Sequence, residues 1–499
     1  MNVIVIVTDT MRKDHLGCYG NRWIRTPNID RLASQGVVFE NAYSENMPTI
    51  PARLSMFLGR YTLPYRAWQT LEPNDDVLPE LLWATDYRKA LITDTYNMHR
   101  RREVFCRGFE YVQFLRGQSG DPVGETIVPP ETTVDMTRYS TRNWKPYHSP
   151  GGRYGPPSSE EDVKKALESY LRRNHSYWKG EEEHFVAQVA RAGMDWLKRQ
   201  VESGRNDHLF LWLDSFDPHE PWDPPEQYYK LYEVPTYKGL PIFGVPGAVD
   251  RWDLEEIRHV RAQYAGKVTL VDRWVGRFLD EVERLGLFDS TLIIYTSDHG
   301  QYLGEKGIMC KCQGWPYEEI SHIPFIVRLP DGQRENRRVE AHVSLPDIAP
   351  TILDFLGIQS PTTHQGKSVL PYTRGQTKDD IDGLTFGIAG FYARSRSIRQ
   401  GEKSYYEWTE NHPLKQKPEL YHFNPKYTPP RPRDYQREDQ AEKRNIIEEE
   451  PETARGLELK MLRFLSKLSM CDGDILAAQT RMREGFTFDS RRRIGPHAE

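Results

Sequence analysis

Acidic and imidazole side chains recur where predicted buried strands end. Four short, nearly continuous apolar runs are each followed by an aspartate. These aspartates are Asp9, Asp94, Asp217 and Asp298. The last two have a histidine within two residues, which is His219 or His299. Carboxylates and imidazoles bind divalent ions and transfer protons, so the pattern predicts a polar reaction centre assembled from distant parts of the chain.

Asp9, Asp298 and His299 are the residues predicted to hold a metal ion. The carboxyl ends of parallel strands meet at one edge of a sheet, so these side chains are expected to lie close together. Two carboxylates and an imidazole suit a divalent ion, and the imidazole favours Mn²⁺ or Zn²⁺. The sequence therefore predicts one divalent metal ion as cofactor, with Ca²⁺ and Mg²⁺ as alternatives.

A second metal ion is the alternative arrangement. Asp217 and His219 would begin its ligand set, and His322 could be recruited to it. His322 precedes a predicted strand, where a histidine is more often structural. The sequence also offers Lys311, whose ammonium supplies a second positive charge without coordinating a metal. One ion is therefore preferred over two.

Thr49 is the candidate nucleophile. Its hydroxyl lies two residues before Pro51 and four before Arg53, at a predicted helix start. The free amides and positive potential of a helix N-terminus favour an anion or an alkoxide. A hydroxyl becomes a nucleophile when its proton is removed or its charge is stabilised. Coordination to a metal ion does this, and Arg53 adds a second positive centre.

The composition argues against a nucleic-acid-binding protein and against a membrane-spanning one. The chain has 499 residues, with 67 basic and 72 acidic side chains interspersed and a net charge of −5. No polyanion-binding surface is indicated, so nucleic-acid binding is not expected. The longest apolar runs have five residues, whereas a transmembrane helix needs about 20, so no membrane partner is expected. A homo-oligomer stays open.

The N-terminus and the cysteines predict a cytoplasmic protein. Residues 1–9 enter a strand pattern at once, without the basic and long apolar regions of a signal peptide. Five cysteines are too few for a disulfide framework, and their odd number leaves one thiol unpaired. A reducing compartment fits this usage.

Short apolar runs alternate with amphipathic stretches along the chain. The predicted strands, buried on both faces, span residues 3–7, 90–93, 209–215, 292–297 and 323–327. The predicted helices span residues 28–35, 182–201, 254–285 and 347–356. Thr26 is the expected N-cap of the first helix. This alternation favours an α/β fold with a mainly parallel sheet flanked by helices.

A change of composition divides the chain near residue 370. Residues 1–370 are predicted to form the catalytic domain, interrupted by an irregular, lid-like insertion at 117–160 that is rich in Gly, Pro, Ser and Thr. Residues 371–480 are predicted to form a smaller α+β C-terminal subdomain, with a small antiparallel sheet and a helix. Residues 481–499 are predicted to be a tail.

Ordered motifs over residues 2–360 resemble the sulfatase family of the alkaline phosphatase superfamily. The motifs are residues 9–20, 26–33, 39–43, 217–221, 296–300, 303–307 with Lys311, and 347–351, and residues 419–421 resemble the C-terminal signature. The resemblance implies an alkaline phosphatase-like fold and metal-dependent ester hydrolysis. It also implies roles for the residues already named: Asp9, Asp298, His299 and the nucleophile Thr49 on the metal, Arg53 orienting that nucleophile, and His219 and Lys311 on the substrate anion.

Three positions depart from the family pattern. Sulfatases carry Cys or Ser, converted to formylglycine, where this chain has Thr49, and a threonine cannot follow that route. The aspartate pair of the first strand is Asp9-Thr10 here. The family's Gly-Lys-Trp-His segment is replaced, so a lysine and a histidine that would hold sulfate are missing. Asp94 and Tyr96 are the predicted substrate-binding residues in their place.

The predicted function is metal-dependent hydrolysis of a small phosphate or sulfate ester through a covalent Thr49 intermediate. Nucleotide pyrophosphatases and phosphopentomutases of the superfamily resemble this chain in using a threonine on a metal, which favours phosphorus over sulfur. The loss of positive charge at Asp94 favours a monoanion, such as a phosphodiester or a phosphonate monoester. The alternatives are a sulfatase without formylglycine, then a phosphotransferase or mutase, then a non-catalytic pseudo-sulfatase.

Overall fold

Strands and helices alternate along the chain. The computed structural model describes residues 1–99, 104–116, 121, 132–140, 160–174, 180–242, 247–249, 252–311, 316–330, 336–375, 387–391, 395–408, 417–472 and 474–475. The strands are β1 Asn2–Thr8, β2 Val37–Tyr43, β3 Arg88–Thr93, β4 Tyr111–Phe114, β5 Leu209–Ser215, β6 Gly247–Ala248, β7 Thr291–Thr296, β8 Tyr302–Leu303, β9 Ile308–Cys310, β10 Phe325–Arg328, β11 Arg337–Ser344, β12 Gly387–Phe391, β13 Ser395–Gln400, β14 Lys403–Trp408 and β15 Glu419–His422. The α-helices are α1 Pro27–Ser34, α2 Thr49–Leu58, α3 Leu78–Leu81, α4 Glu160–Asn174, α5 Phe185–Glu202, α6 Glu226–Tyr229, α7 Leu254–Arg284, α8 Glu318–Ser321, α9 Ile348–Phe355, α10 Leu370–Thr373 and α11 Pro451–Lys467.

The largest sheet among the described residues has eight strands, in the order β11-β2-β10-β7-β1-β5-β3-β4. Its pairs are parallel, except that β10 runs antiparallel to both β2 and β7. The predicted α/β fold with a mainly parallel sheet is confirmed. The predicted strand at residues 323–327 is β10, which runs opposite to its neighbours, and the strands β2, β4 and β11 were not predicted.

The strands in the middle of this sheet end at the same level. Val7 of β1 lies opposite Asp214 of β5 and Thr296 of β7. Asp214 also lies opposite Thr93, the last residue of β3. The residues that follow these strands are therefore collected at one edge of the sheet, as a parallel arrangement requires.

Helices cover both faces of the sheet, as predicted. In β1, Ile4 and Ile6 pack into the core formed with α1, α5 and α7, whereas Val3 and Val5 pack into the core formed with α2 and α9. Burial on both faces explains why the strand is apolar at successive positions. Full burial of one such side chain contributes about 1.5–3 kcal/mol.

Helix α1 is capped by a residue other than the predicted one. Thr26 precedes the helix, but its hydroxyl accepts a hydrogen bond from the amide of Gly17 at 2.8 Å and binds no helix amide. Asp272 of α7 instead accepts from the amides of Asn28 at 3.1 Å and Ile29 at 2.8 Å. A carboxylate from a neighbouring helix therefore replaces the local cap.

The strands β12–β15 form a separate antiparallel sheet, which α11 covers. The predicted C-terminal antiparallel sheet is confirmed, while the domain boundary near residue 370 stays a prediction. Of the predicted insertion at 117–160, residues 121, 132–140 and 160 are described, and the predicted tail at 481–499 lies outside the described residues. Among the helices of the described residues, none is long and apolar enough to cross a membrane.

Asp474 links the segment after α11 to the segment that follows α2. Its carboxylate, of which 3% is exposed, accepts from Nε of Arg66 at 2.7 Å and from Nη2 of Arg60 at 2.9 Å. Asp474→Ala leaves the buried guanidinium of Arg60 without its carboxylate, while Arg66 keeps Asp75, and should lower the free energy of unfolding by about 3 kcal/mol. Denaturant unfolding measures this, with exposed Asp472→Ala as the control. Equal stability of the two variants would contradict the expectation.

Candidate active site

Asp9, Asp298 and His299 lie together at the edge where β1 and β7 end. All three are fully buried, and one ligand atom from each lies within 4.8 Å of the others. Nε2 of His299 is 3.9 Å from Oδ1 of Asp9 and 3.6 Å from Oδ2 of Asp298. The structure therefore brings together the three side chains that the sequence predicts as metal ligands.

Lone pairs of Asp9 and His299 in this cluster are left for a cation. Nδ1 of His299 donates to the carbonyl oxygen of Gly300 at 2.7 Å, so Nε2 carries the lone pair. Among the described residues, neither oxygen of Asp9 nor Nε2 of His299 has a hydrogen-bond partner. Buried polar groups without partners are costly. This donor set fits a divalent ion.

The electrostatics of the cluster agree with this fit. Burial raises the pKa of Asp9 well above its usual value, and the charge of Asp298 raises it further. Burial also lowers the pKa of His299, which keeps the imidazole neutral and able to coordinate. Burial raises the pKa of Asp298, but the neighbouring His299, the guanidinium of Arg53 and the amide of Thr10 outweigh burial and lower it. A cation at this point would stabilise the ionised form of Asp9.

Arg53 links the cluster to helix α2. Its Nη1 lies 2.7 Å from Oδ2 of Asp298, 3.2 Å from Oδ2 of Asp9 and 3.1 Å from the carbonyl oxygen of Thr49. Its Nε and Nη2 donate to the two oxygens of Asp214 at 2.9 and 2.6 Å. The bidentate contact fixes the plane of the guanidinium, so Nη1 points at the predicted metal ligands.

Thr49 is the first residue of α2, and the whole helix is buried. The φ angle of Thr49 is +23°, which a β-branched residue rarely adopts. Such a conformation costs about 1–3 kcal/mol and persists where the surrounding contacts impose it, often at reactive positions. Its carbonyl shares Nη1 of Arg53 with Asp298, so the main chain of Thr49 borders the cluster. The role of its hydroxyl stays a prediction.

His219 and Lys311 form the other flank of the site. Nδ1 of His219 donates to the carbonyl oxygen of Glu220 at 2.6 Å, and its ring stacks on Phe216 with 3.8 Å between centroids. Burial lowers the pKa of His219 to about 3, so the ring is neutral near pH 7. The ammonium of Lys311 donates to its Nε2. The neutral ring of His219 therefore accepts this hydrogen bond through the lone pair of Nε2.

Asp94 and Tyr96 lie at the exit of β3. Asp94 is fully buried, and its Oδ1 accepts from the amide of Phe216 at 2.7 Å. Burial and the charge of Asp217 raise its pKa well above the usual value. Tyr96 is half-buried and stacks on Phe114 at 6.4 Å. Asp94 thus supports the exit of β5, and contact of either residue with substrate stays a prediction.

Thr10 takes the place of the second aspartate of the family pattern. Its φ angle is +61°, and its amide donates to Oδ1 of Asp298 at 3.1 Å. Its hydroxyl is buried and has no hydrogen-bond partner in the described part of the chain. The main chain of Thr10 therefore orients a predicted metal ligand.

The residues proposed for a second metal ion are already engaged. Asp217 accepts from the amide of Val186 at 3.1 Å and lies 2.9 Å from Nζ of Lys267. His322 is held by the carboxylate of Glu318 at 3.0 Å, and its ring stacks on Tyr43 at 4.6 Å. The ammonium of Lys267 thus already supplies a positive charge beside Asp217. The geometry therefore favours the single-metal arrangement.

Three participants were missed by the sequence analysis. Asp214 was counted as part of a buried strand, although a carboxylate in such a strand signals a buried partner. Lys267 lies within the long helix α7, and nothing in its local sequence marks its contact with Asp217. Glu220 follows His219 directly and lies 3.5 Å from Nζ of Lys311.

Comparison with known proteins places the chain in a family. The family model Sulfatase matches residues 1–358. The chain belongs to the sulfatase family. An arylsulfatase of Clostridium perfringens is 27% identical over 398 residues, which cover 74% of this chain and 77% of that protein. A multifunctional alkaline phosphatase superfamily protein of Trinickia caryophylli is 28% identical over 425 residues, covering 74% and 76%.

The fold agrees with that of a solved structure. The crystal structure of the phosphonate monoester hydrolase of Agrobacterium radiobacter has a TM-score of 0.69 and 20% identity, covering 94% of this chain and 96% of that one. The family predicted from the motifs is thereby confirmed. This member of the sulfatase family is an ester hydrolase, and the family is in general metal-dependent.

Removing a predicted ligand should abolish metal binding. We expect the wild-type chain to retain one Mn²⁺ or Zn²⁺ ion after dialysis, and Asp298→Asn to bind it at least about 100-fold more weakly because a charged ligand is lost. Elemental analysis and calorimetric titration with the metal alone measure this. Exposed Asp195→Asn is the matched control. Unchanged metal content in Asp298→Asn would show that the ion lies elsewhere.

Proposed function

We propose that this sulfatase-family enzyme hydrolyses a monoanionic phosphorus ester, a phosphodiester or a phosphonate monoester, through a covalent intermediate on Thr49. The observation that carries the proposal is the position of Thr49, whose carbonyl shares the guanidinium of Arg53 with the carboxylates of Asp9 and Asp298. A hydroxyl-bearing residue at this point is suited to in-line attack on an ester anion.

The nucleophile type favours phosphorus. Threonine cannot be converted to formylglycine, so an ester formed on Thr49 has no second hydroxyl with which to expel the bound group. Water must therefore attack the bound anion, as in phosphoryl transfer. The phosphonate monoester hydrolase and the multifunctional alkaline phosphatase superfamily protein, by their names, support phosphorus chemistry for this chain.

The charge around the site favours a monoanion. Positive side chains are present as Arg53 and Lys311, but Arg53 already contacts three carboxylates. Glu220 lies 3.5 Å from Lys311, and Asp94 stands where family members carry positive charge. Apart from the divalent ion that Asp9, Asp298 and His299 would hold, the site has little uncompensated positive charge and should attract a dianionic phosphate monoester weakly.

The reaction consists of two displacements at phosphorus. The hydroxyl of Thr49 releases its proton to solvent as its oxygen forms a bond to phosphorus and the bond to the leaving oxygen breaks. Arg53 positions Thr49 through the carbonyl oxygen of that residue. Lys311, held by His219, gives a proton to the leaving oxygen. Water then attacks phosphorus and returns Thr49 to its free form. A divalent ion held by Asp9, Asp298 and His299 would supply the charge that favours ionisation of the hydroxyl.

A sulfate monoester is the second candidate substrate. It is also a monoanion, so the same charge balance accepts it. The arylsulfatase of Clostridium perfringens, a relative that is 27% identical, favours it. Sulfate transfer to Thr49 would require water to cleave the sulfated threonine.

The substrate class can be decided with one leaving group. We expect a 4-nitrophenyl phosphodiester or a 4-nitrophenyl phosphonate to be hydrolysed with a larger kcat/KM than 4-nitrophenyl phosphate or 4-nitrophenyl sulfate. The reasons are that the site suits a monoanion and that water must cleave the covalent intermediate. Rates are measured with Mn²⁺, Zn²⁺, Mg²⁺ and Ca²⁺ in turn. A preference for sulfate would select the second candidate, and transfer to added alcohols without hydrolysis would indicate a phosphotransferase.

The covalent route depends on the hydroxyl of Thr49. Thr49→Ala should lower kcat/KM by about 10³-fold or more, because the attacking atom is lost. Thr49→Ser keeps the hydroxyl and is the matched control, expected within about tenfold of the wild type in protein whose position 49 is shown by mass spectrometry not to be converted to formylglycine. Acid quenching followed by peptide mass spectrometry should find the phosphorus group on residue 49. Near-normal turnover by Thr49→Ala would rule out this intermediate.

A further inference from the structure

Glu220 holds both members of the pair formed by Lys311 and His219. Its Oε1 lies 3.5 Å from Nζ of Lys311, and its Oε2 lies 3.3 Å from Nδ1 of His219. Oε2 also accepts from Nε2 of Gln301 at 2.7 Å. Gln301 is fully buried two residues beyond His299, so Glu220 is anchored to the chain that carries the predicted metal site.

The carboxylate of Glu220 is charged at neutral pH. Only 9% of the side chain is exposed. Burial raises its pKa, but His219, Lys311 and the hydrogen bond from Gln301 lower it to about 2. The charge of Lys311 beside the reaction centre is therefore largely offset by Glu220.

We propose that Glu220 is a positioning and specificity-determining residue, which orients Lys311 and His219 and cancels one positive charge so that monoanionic esters are preferred over dianionic ones. The inference rests on the proposed function, since it assigns Lys311 to the leaving-group side of the reaction. It assigns the substrate charge preference to one side chain.

A purely structural ion pair has different consequences. If Glu220 served only to hold the fold, its loss would lower the turnover of all esters by the same factor. If the charge of Glu220 sets the preference, removing that charge strengthens the attraction of the site for a dianionic substrate about twice as much as for a monoanionic one. The ratio of the two specificity constants then changes by about tenfold, because one unit charge acts at short range in a poorly solvated site.

The ratio can be measured with two esters of 4-nitrophenol. Methyl 4-nitrophenyl phosphate is a monoanion, and 4-nitrophenyl phosphate is a dianion above its second pKa. We expect Glu220→Gln to raise the kcat/KM ratio of dianion to monoanion by about tenfold, mainly through KM of the dianion. The isosteric amide still accepts from Gln301, so the fold should be kept, which thermal melting checks.

Matched variants separate charge from position. Glu220→Asp keeps the charge and should restore the wild-type ratio, with a lower kcat for both esters because the shorter side chain holds Lys311 less well. Glu220→Ser is a second neutral variant and should shift the ratio in the same direction as Glu220→Gln. Exposed Glu226→Gln, in the same segment, makes the same change of net charge and should leave the ratio unchanged.

Two failures are distinguishable. If the wild-type enzyme hydrolyses the monoanionic ester and the ratio stays constant in Glu220→Gln and Glu220→Ser, the role of Glu220 is wrong while the proposed function stands. If the wild type hydrolyses neither phosphorus ester but does hydrolyse 4-nitrophenyl sulfate, the proposed function is wrong and the inference falls with it.

Discussion

The guanidinium of Arg53 is the contact on which the rest of the site depends. It is fully buried and lies between carboxylates that follow or end three neighbouring strands, Asp9, Asp214 and Asp298. Buried carboxylates at such short distances repel one another unless a cation lies between them. Arg53 provides that charge, and because it belongs to α2, it also fixes the start of this helix and hence Thr49 at the sheet edge.

Two flanks with different electrostatics meet at this edge. On one flank, Asp9 and His299 present lone pairs without hydrogen-bond donors beside the carboxylate of Asp298, an arrangement that fits a divalent ion. On the other flank, the ammonium of Lys311 donates a hydrogen bond to the neutral ring of His219 and lies beside the carboxylate of Glu220. In the proposed reaction, the first flank would stabilise negative charge on the attacking oxygen, and the second would supply a proton to the leaving oxygen.

Much of the central sheet could be predicted because its strands are buried on both faces and read as continuous apolar runs. The direction of β10 could not be predicted, because an antiparallel strand that is buried on both faces has the same composition as a parallel one. Strands β2 and β11 were missed because several of their side chains are only half-buried, which weakens the apolar pattern. The prediction of Thr26 as the cap of α1 was wrong because Asp272 binds the helix amides instead. Asp272 is distant in sequence but belongs to a helix that packs beside α1.

The sequence by itself determined the family and the chemical types of the reacting groups, because the motifs around Asp9, Asp298 and His299 are read from short segments. The tertiary structure decided which charges meet. Arg53 and Asp214 are 161 residues apart, and His219 and Lys311 are 92 apart. Such contacts depend on strand order and register, and these follow from the packing of the whole core and not from any local pattern.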